Sequence, residues 1–535
     1  MAHLNLLDCT LRDGGYVNDW RFGHDNIVNV FERLVSAGVD VIEVGFLDER
    51  QPFDMDRSIF PDTASANKIF AGLDHGDSLV VAMIDIGTCG LENIQPCDQT
   101  ILDGIRVIFK KSKISQAMEF CAQLKELGYI VFANAVSITS YDDDEYAELL
   151  DAVNELEPYT FSIVDTYGLL HRQDVNHYFT MADERLKSNI GLAYHAHNNF
   201  QLAYSNCIET IETQGDRMLT VDGSLYAMGK SAGNAAGELL AMYMNEYRGK
   251  SYDISQLLEA IDTTIMDFYQ VTPWGYKFKF FIAALHDCHP NYVTYLMDKK
   301  KLSVKSINEI LDMLEGEAKL LYDAKLIEDL YQKYQSVECD DHESVSALAK
   351  NLSGKKVLLL APGNHVVDQK EMVDAYIEEN GPVVMSVGFV PNGYDIDYLF
   401  MSNSKRYTQL SSYLLRREPE IKTIATSNVT KATGTFDYVL NYGSLLDEDA
   451  ELVDNPLIML LRLFAKFDIE EVALAGFDGY TTRPASDYVN PNMEYPFSKK
   501  KALEINADTI ASLKRVPRTA PVKFVTESLY EGAMD

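Results

Sequence analysis

The feature that most restricts the fold of this 535-residue sequence is the alternation of short apolar runs with amphipathic segments across its first half. Apolar runs bounded by turn residues predict buried parallel strands, and the segments between them predict helices. The eight predicted strands are Leu4–Asp8, Val39–Gly45, Leu79–Ile84, Gly104–Phe109, Ile130–Ala135, Thr160–Val164, Gly191–Tyr194 and Met218–Val221. This number of strands over about 240 residues matches a (β/α)8 barrel. A doubly wound open sheet is the alternative, but it seldom carries polar motifs after nearly every strand.

Polar residues follow almost every predicted strand. In chain order they are Arg12 and Asp13, Glu43, Asp85, Lys110 and Lys111, Asn134, Asp165, His195 to Asn199, and Asp222. The carboxyl ends of barrel strands converge on one mouth, where barrel enzymes have their active sites. We therefore expect these residues, although far apart in sequence, to line a single cavity.

The pair His195 and His197 is the sharpest chemical signal in the sequence. Residues i and i+2 of a strand point to the same side, so both imidazoles face one way. Such a pair is incidental as often as it binds metal, but Asp13 at the same mouth favours a divalent cation. The carbonyl of Asn234 could supply a further oxygen ligand. Mn²⁺ or Mg²⁺ with a bidentate 2-oxo acid fits this set, and Zn²⁺ remains a less favoured alternative.

Four separated motifs carry a resemblance to a known family. They are Asp8-x-Thr10-Leu11-Arg12-Asp13-Gly14, Glu43, His195-x-His197-Asn198 and Gly233-Asn234-x-x-x-Glu238. Together they resemble the DRE-TIM metallolyase superfamily, which includes 3-hydroxy-3-methylglutaryl-CoA lyase, isopropylmalate and homocitrate synthases, and 4-hydroxy-2-oxovalerate aldolase. The resemblance covers residues 4–280. Within the superfamily, the segment from Arg12 to Tyr16 and the helical extension look most like the aldolase branch.

The resemblance implies a role for each site residue. The metal ligands of this chain would be Asp13, His195, His197 and, as in the lyase members, Asn234. Arg12 would stabilise the enolate oxygen that forms when a 4-hydroxy-2-oxo acid is cleaved, with the metal as Lewis acid on the 2-oxo group. Glu43 would orient Arg12 or a water on the metal. The implied activity is a metal-dependent carbon–carbon lyase that acts on a 2-oxo acid and an aldehyde.

One position departs from the aldolase pattern. The branch usually has a histidine as general base where this sequence has Tyr16. A tyrosine has an ordinary pKa near 10 and is a poor base at neutral pH, so Tyr16 is an acid, a substrate-positioning group or a shape-determining residue. His24 or a metal-bound hydroxide could serve as base instead. The alternatives to aldol chemistry are an acyl-CoA-dependent Claisen-type synthase and a regulatory barrel without catalysis. Lys110 and Lys230 are equally compatible with binding a substrate carboxylate and with a surface position.

The rest of the sequence predicts two further parts. Residues 281–350 are predicted to be a helical extension that ends in a linker over Cys339–Leu352, after a barrel over 1–280. Residues 351–535 predict a smaller, Rossmann-like α/β domain, with strands at Lys356–Leu360, Val383–Val387, Tyr398–Met401, Thr423–Thr426, Tyr438–Leu440 and Glu471–Ala475. The predicted fold class is thus α/β, a TIM barrel with a helical extension and a second α/β domain.

The second domain shows only weak functional signals. A glycine turn, Ala361-Pro362-Gly363, follows its first strand, but a full G-x-G-x-x-G motif is absent. This turn, with Ser402 and Asn403, gives a loose similarity to sialyltransferase-like domains of polysaccharide synthesis. A sugar-nucleotide ligand is one expectation, and a regulatory or scaffolding domain is the alternative.

Composition restricts the partners and the location. The sequence has 47 basic and 81 acidic residues, a net charge of −34, which argues against nucleic acid and anionic membrane surfaces as partners. Its seven cysteines show no paired spacing, and no apolar run approaches the roughly 20 residues that span a bilayer. We expect a cytoplasmic homo-oligomer. The aldolase resemblance adds an acylating aldehyde dehydrogenase as an expected partner of the extension.

Overall fold

The chain divides into two units, Met1–Pro290 and Asn291–Asp535. The structure, a computed structural model, describes residues 4–213, 215–414, 421–430, 436–481, 487–490 and 499–533. The three-part division into 1–280, 281–350 and 351–535 remains a prediction at the level of its boundaries.

The first unit is a closed barrel of eight parallel strands. They are β1 (Leu4–Asp8), β2 (Val41–Leu47), β3 (Leu79–Asp85), β4 (Gly104–Phe109), β5 (Ile130–Ala135), β6 (Thr160–Asp165), β7 (Gly191–Ala196) and β8 (Leu219–Gly223). Each strand pairs with the next, and β8 closes the barrel against β1 with Leu4 opposite Leu219. A two-residue strand, Ile59–Phe60, pairs with the end of β2. The predicted (β/α)8 barrel is confirmed.

Helices surround the barrel strands and cover them with apolar faces. They are Thr10–Asp13, Gly15–Asn18, His24–Ser36, Thr63–Phe70, Ile114–Glu126, Asp143–Leu156, Arg172–Arg185, Ala203–Glu212, Gly237–Arg248, Ile254–Ala260, a π-helix at Ile261–Ile265, Met266–Val271 and Phe278–Leu285. Helix His24–Ser36 shows the common pattern, because Ile27, Val30, Phe31 and Leu34 recur at helical spacing and all are buried. Helix Asp143–Leu156 begins at a capping box in which Asp142 accepts from the N–H of Glu145.

Several barrel strands extend further than predicted, and the extension matters at the mouth. Strand β7 ends at Ala196 rather than Tyr194, and β6 includes Asp165. His195 therefore lies in the sheet itself, paired with Val164, and His197 is the first residue beyond it. Asp165 and His195 are polar but belong to the strands, and both side chains are buried instead of facing solvent.

The second unit is built on an open, parallel, seven-stranded sheet. Its strands are β9 (Lys356–Leu360), β10 (Val383–Val387), β11 (Tyr398–Met401), β12 (Lys422–Thr426), β13 (Tyr438–Leu440), β14 (Glu471–Ala475) and β15 (Val522–Phe524), in the spatial order β13-β12-β11-β10-β9-β14-β15. The helices are Pro290–Asp298, which begins at the unit boundary, Val304–Leu311, Ala324–Gln335, His342–Leu352, His365–Asp368, Lys370–Asn380, Ser404–Leu414, Ser427–Thr430, Pro456–Phe464 and Lys499–Arg515. The predicted α/β sheet is present, with one strand, β15, that the sequence analysis missed.

The predicted linker over Cys339–Leu352 is wrong for most of its length, since His342–Leu352 is a helix. Leu348 and Leu352 are fully buried on one face of that helix. At its start, Asp341 accepts a hydrogen bond of 2.8 Å from the N–H of Asn441, and Ser344 accepts one of 3.1 Å from Val439. These two hydrogen bonds join the start of the helix to the β13 segment.

No helix among the described residues combines the length and the apolar composition needed to cross a bilayer.

Candidate active site

The segment after β1 places an arginine and an aspartate inside the barrel mouth. A buried helical turn, Thr10–Asp13, follows the strand, and the N–H of Asp13 donates to the carbonyl of Cys9 at 2.7 Å. The Arg12 guanidinium donates through Nε to Glu43 Oε2 at 2.7 Å and through Nη1 to Asp13 Oδ1 at 2.5 Å. Burial alone would raise the pKa of Asp13, but Arg12 and His197 hold it well below its usual range. Asp13 is therefore an anion at neutral pH.

Asp13, His195 and His197 converge on one point. Each offers a ligand atom, and these atoms all lie within 4.8 Å of one another. His197 Nε2 is 3.5 Å from Asp13 Oδ2, and neither ring nitrogen of His197 makes a hydrogen bond within the described chain. Buried imidazole nitrogens normally have partners, so a cation that accepts lone pairs fits this set. Two imidazoles and one carboxylate are a donor set for Mn²⁺, Mg²⁺ or Zn²⁺.

Asn234 lies beside this cluster, as predicted from its motif. Its Nδ2 donates to Asp13 Oδ2 at 2.9 Å, and the side-chain carbonyl Oδ1 is buried without a hydrogen-bond partner in the described part of the chain. A neutral oxygen without a donor is free to complete a cation's coordination. The position is compatible with the predicted role of Asn234 as a ligand, which stays a prediction.

A fully buried arginine that the sequence analysis did not single out connects the two sides of the site. Arg106, on β4, pairs through Nη1 with Glu43 Oε2 at 3.0 Å and through Nη2 with Asp222 Oδ2. The same Asp222 oxygen lies 3.0 Å from His195 Nδ1. The series Arg12, Glu43, Arg106, Asp222 and His195 is thus continuous through the barrel interior. The one feature of the sequence that could have identified Arg106 is its position as a charged residue within an apolar strand.

Asp222 sets the chemical state of His195. Burial lowers the pKa of His195, so the ring is neutral and one nitrogen carries a lone pair. The contact of Nδ1 with Asp222 directs the proton to that nitrogen and leaves Nε2 as the ligand atom. Burial alone would raise the pKa of Asp222, but Arg106 and His195 hold it below its usual value.

A small cavity of about 60 Å³ opens onto these groups. Its lining consists of Arg12, Asp13, Tyr16, Met83, Ile108, Asn134, Val136, Val164, Thr166, His195, His197 and Lys230. Both side-chain amide atoms of Asn134 are buried and lack hydrogen-bond partners among the described residues. Unsatisfied polar atoms that face a cavity are candidates for contact with a ligand. The predicted convergence of strand-end residues on one cavity holds for Arg12, Asp13, Asn134 and the two histidines.

Tyr16 lies at the cavity, but its chemistry excludes a simple base. Burial of its hydroxyl, together with the negative charge of Asp13, raises the pKa of Tyr16 to about 12 although 45% of the residue's surface remains accessible. A phenol with this pKa is protonated at neutral pH and serves as a proton or hydrogen-bond donor. His24, the other predicted base, is outside the cavity lining; it is partly exposed and lies 3.2 Å from Asp25. Its position does not support the predicted role.

Two basic side chains near the mouth were not assigned from the sequence. Lys230 was equally compatible with ligand binding and with a surface position, and His289 was not considered. The Lys230 ammonium lies over the rings of Tyr16 and Tyr167, 5.5 and 6.0 Å from their centroids, and the Lys230 N–H donates to Asp13 Oδ2 at 3.0 Å. Lys230 therefore belongs to the cavity and not to the surface. His289 was not predicted; burial and the charges of Lys230 and Lys110 lower its pKa to about 4.

Comparison with known proteins agrees with this geometry. Residues 3–265 match the family model described as HMGL-like. A 4-hydroxy-2-oxovalerate aldolase of Chloroflexus aurantiacus is 25% identical over 49% of this chain and 75% of its own length. An oxaloacetate decarboxylase of Mycobacterium tuberculosis is 23% identical over 51% of this chain and 81% of its own length. A 2-isopropylmalate synthase of Staphylococcus carnosus is 25% identical over 45% of this chain and 48% of its own length.

Proposed function

Because residues 3–265 form a DRE-TIM domain of the HMGL-like family, we propose that this chain is a divalent-metal-dependent aldolase. It would cleave or form a 4-hydroxy-2-oxo acid through a pyruvate-type enolate. The observation that carries the proposal is the convergence of a buried guanidinium with the side chains of Asp13, His195 and His197 on one small cavity. The identity of 25% with the aldolase of Chloroflexus aurantiacus supports the reaction class and leaves the substrate to experiment.

The site residues would have two roles in forming an enolate, metal binding and stabilisation of negative charge. Asp13, His195 and His197 would hold the metal, with Asn234 beside them. When bound, the metal supplies Lewis acidity to the 2-oxo group. The Arg12 guanidinium faces the same cavity and is held in place by Glu43 at 2.7 Å, so it stabilises negative charge on the enolate oxygen without reorganising.

The size and charge of the cavity favour a small acid. Its volume of about 60 Å³ admits only a few heavy atoms beside the metal-ligand residues. Lys230 contributes a positive charge to the lining, and Asn134 contributes an amide donor and acceptor. A carboxylate that lies against a cation and an amide N–H is held with a fixed orientation. We infer that Lys230 and Asn134 contact the carboxylate of a 2-oxo acid.

The missing base makes decarboxylation a second candidate function. Cleavage of a 4-hydroxy-2-oxo acid requires removal of the hydroxyl proton, and Tyr16 with its raised pKa is a poor acceptor. When the carboxylate β to the oxo group of oxaloacetate leaves as CO₂, the electron pair of the broken C–C bond forms the same enolate, and no base is required. A protonated Tyr16 can then donate a proton to the enolate. The match to an oxaloacetate decarboxylase favours this alternative specifically.

The acyl-CoA-dependent synthase is the third candidate, supported by the similarity to 2-isopropylmalate synthases. Consumption of acetyl-CoA in the presence of 2-oxo acids identifies it, whereas aldolase and decarboxylase chemistry leave acetyl-CoA unchanged. The homo-oligomer, the aldehyde co-substrate and the aldehyde dehydrogenase partner remain predictions.

Exchange of the methyl protons of pyruvate in D₂O tests the enolate directly. With Mn²⁺, we expect exchange by the wild-type chain and a loss of about 100-fold or more in Arg12→Ala, since the charge stabilisation disappears. Arg21→Ala is the matched control, because Arg21 is an exposed arginine of the same segment, and it should keep the wild-type rate. Absence of exchange with Mn²⁺, Mg²⁺ and Zn²⁺ would contradict enolate chemistry. Product analysis with 4-hydroxy-2-oxovalerate and with oxaloacetate then separates the aldolase from the decarboxylase.

A further inference from the structure

The second unit contains a cavity of about 600 Å³ that the barrel chemistry does not use. Its walls include residues that follow four strands of the sheet: 361–363 after β9, Gly388 after β10, Ser402 and Asn403 after β11, and 476–479 after β14. Ligand cavities typically measure about 300–1,000 Å³. The cavity is therefore large enough for a ligand of the size of a nucleotide.

The cavity lies where the strand order of the sheet reverses. Strand β9 pairs with β10 on one side and with β14 on the other, so the chain crosses from one half of the sheet to the other at this point. In open parallel sheets, ligands bind outside the carboxyl ends of the strands at such a switch point. Gly363 donates to the carbonyl of Gly476 at 2.9 Å, and a Cβ on either glycine would lie 2.3 Å from a backbone oxygen. The two loops thus approach each other closely at these glycines.

The lining contains five basic and six acidic residues, and most of its lysines are neutralised by neighbouring carboxylates. Three of its lysines form ion pairs with carboxylates, namely Lys299 with Glu328, Lys301 with Asp454 and Lys501 with Glu451. Lys300 forms no ion pair with any described residue, and Arg406 is only 9% exposed. The Arg406 guanidinium lies 5.7 Å from the ring centroid of Tyr488. Lys300 is therefore the cation of the lining that can meet an anionic ligand first, and the Arg406 guanidinium lines the same cavity.

Asp478, a half-buried carboxylate in the same lining, has one oxygen that can accept a further hydrogen bond. Asp478 Oδ2 accepts from the N–H of His365 at 2.9 Å. Asp478 Oδ1 is buried and accepts no hydrogen bond from the described residues, with His365 Nδ1 3.5 Å away. Buried acceptors normally have a donor, and sugar hydroxyls are donors that carboxylates select at switch-point sites.

Aromatic rings complete the lining. Tyr480 and Tyr488 are half-buried, and their hydroxyls are 3.1 Å apart. Rings in such a position provide faces on which a nucleobase stacks. The three features match the three parts of a nucleotide: phosphate, sugar and base.

We propose that this cavity binds a nucleoside diphosphate, either free or as the carrier of a sugar. Lys300 and Arg406 contact the phosphates, Asp478 accepts a ribose hydroxyl, and the base lies against Tyr480 and Tyr488. The site is independent of the proposed barrel activity, because all of its residues belong to the second unit.

Calorimetric titration of the full chain in the presence of Mg²⁺ tests the proposal. The probes are ADP, GDP, CDP and UDP, with inorganic pyrophosphate and the free nucleosides as references. At least one diphosphate should bind about tenfold tighter than pyrophosphate and than its own nucleoside. UDP-glucose and GDP-mannose, compared with UDP and GDP, show whether the physiological ligand carries a sugar.

Variants locate the binding. Lys300→Gln and Arg406→Gln should each weaken the nucleotide by about tenfold, and Asp478→Asn should weaken the nucleotide but not pyrophosphate. Lys405→Gln is the matched control, since Lys405 is exposed on the same helix as Arg406 and lies outside the lining; it should bind as wild type. If Arg406→Gln unfolds the unit, Lys300→Gln carries the test, because Lys300 is half-exposed. Binding of none of the four diphosphates, equal affinity for pyrophosphate, or equal losses in Lys300→Gln and Lys405→Gln would each overturn the proposal.

Discussion

At the scale of residues, the cluster of candidate metal ligands is held in place by charged side chains that do not line the cavity. Arg106 lies between Glu43 and Asp222, and these two carboxylates in turn hold Arg12 and His195. Removing one member of a buried ion network leaves its partners uncompensated, at a cost of about 3–5 kcal/mol. The orientation of Arg12 and His195 therefore depends on Glu43, Arg106 and Asp222 behind them.

Asp222→Asn tests this dependence. An asparagine keeps the shape of the side chain but loses the charge that faces Arg106 and His195, so we expect Mn²⁺ affinity to fall by about 10–100-fold. Asp103→Asn is the control, since Asp103 directly precedes β4 and accepts from the N–H of Val80 near the start of β3, at the opposite end of the barrel. Calorimetric titration with Mn²⁺ measures both. Equal losses in the two variants would show a general effect of removing charge.

Asp8 predicts a pH dependence of barrel stability. Burial raises the pKa of Asp8 to about 7, although Thr10 donates two hydrogen bonds of 2.9 Å to it. The folded state then holds a proton that the unfolded state releases near its ordinary pKa, so the free energy of unfolding falls as pH rises from about 4 to about 7. The slope is at most about 1.4 kcal/mol per pH unit. Urea unfolding across this range should show a flatter slope for Asp8→Asn. The exposed helix cap Asp253 gives the control, Asp253→Asn, which should keep the wild-type slope.

At the scale of elements, the loop after β8, from Ser224 to Ala235, positions the candidate site residues as much as the strands do. The N–H of Ser224 donates to the carbonyl of Ala235 at 3.0 Å, and Leu225 donates to Thr10 Oγ1 at 2.8 Å, so the loop is fixed at both ends. Within it, a Cβ on Gly229 would lie 2.4 Å from Asn234 Nδ2 and 2.5 Å from Asp13 Oδ2. This glycine provides the space that the predicted ligands occupy.

Gly229→Ala should therefore displace Asn234 and Asp13 and weaken Mn²⁺ binding by about tenfold or more, with a small effect on stability. Gly72→Ala is the matched control, because nothing lies within 4 Å of its added Cβ. Mn²⁺ titration and thermal unfolding of both variants decide the outcome. Wild-type Mn²⁺ affinity in Gly229→Ala would show that the loop yields and that Gly229 is not a steric determinant.

The elements that sequence analysis predicted correctly are those whose signal is local. The eight barrel strands and six strands of the second sheet are apolar runs, and a pattern of that kind can be read without knowledge of partners. Strand β15 was missed because it is three residues long with an exposed lysine, Lys523, at its centre. Arg106 and Asp222 were not recognised as a pair because 116 residues separate them. Asp13, His195 and His197 were identified because two histidines at i and i+2 of a strand point the same way and because the strand ends of a barrel converge.

At the scale of the whole molecule, each unit has its own core and its own candidate site. The barrel core joins strand and helix residues of the first unit alone. In the second unit, alternate residues of β9 face opposite sides of the sheet, with Val357 and Leu359 in one cluster and Leu358 and Leu360 in another. Units that bury their own apolar surface can unfold in separate transitions. The family match covers residues 3–265, all of which belong to the first unit.

This separation predicts which ligand stabilises which unit. A ligand that binds only the folded state adds about 2.7 kcal/mol at a concentration 100 times its dissociation constant. Scanning calorimetry of the full chain should show that Mn²⁺ raises the unfolding temperature of the barrel, whereas the nucleoside diphosphate raises that of the second unit. His195→Ala and Asp13→Asn should each abolish the Mn²⁺ shift, and His177→Ala, an exposed histidine of the barrel surface, should retain it. If Mn²⁺ raised the unfolding temperature of both His195→Ala and Asp13→Asn as much as that of the wild type, the assignment of the metal ligands would be wrong. A shift of both transitions by either ligand would instead mean that the two sites are energetically coupled.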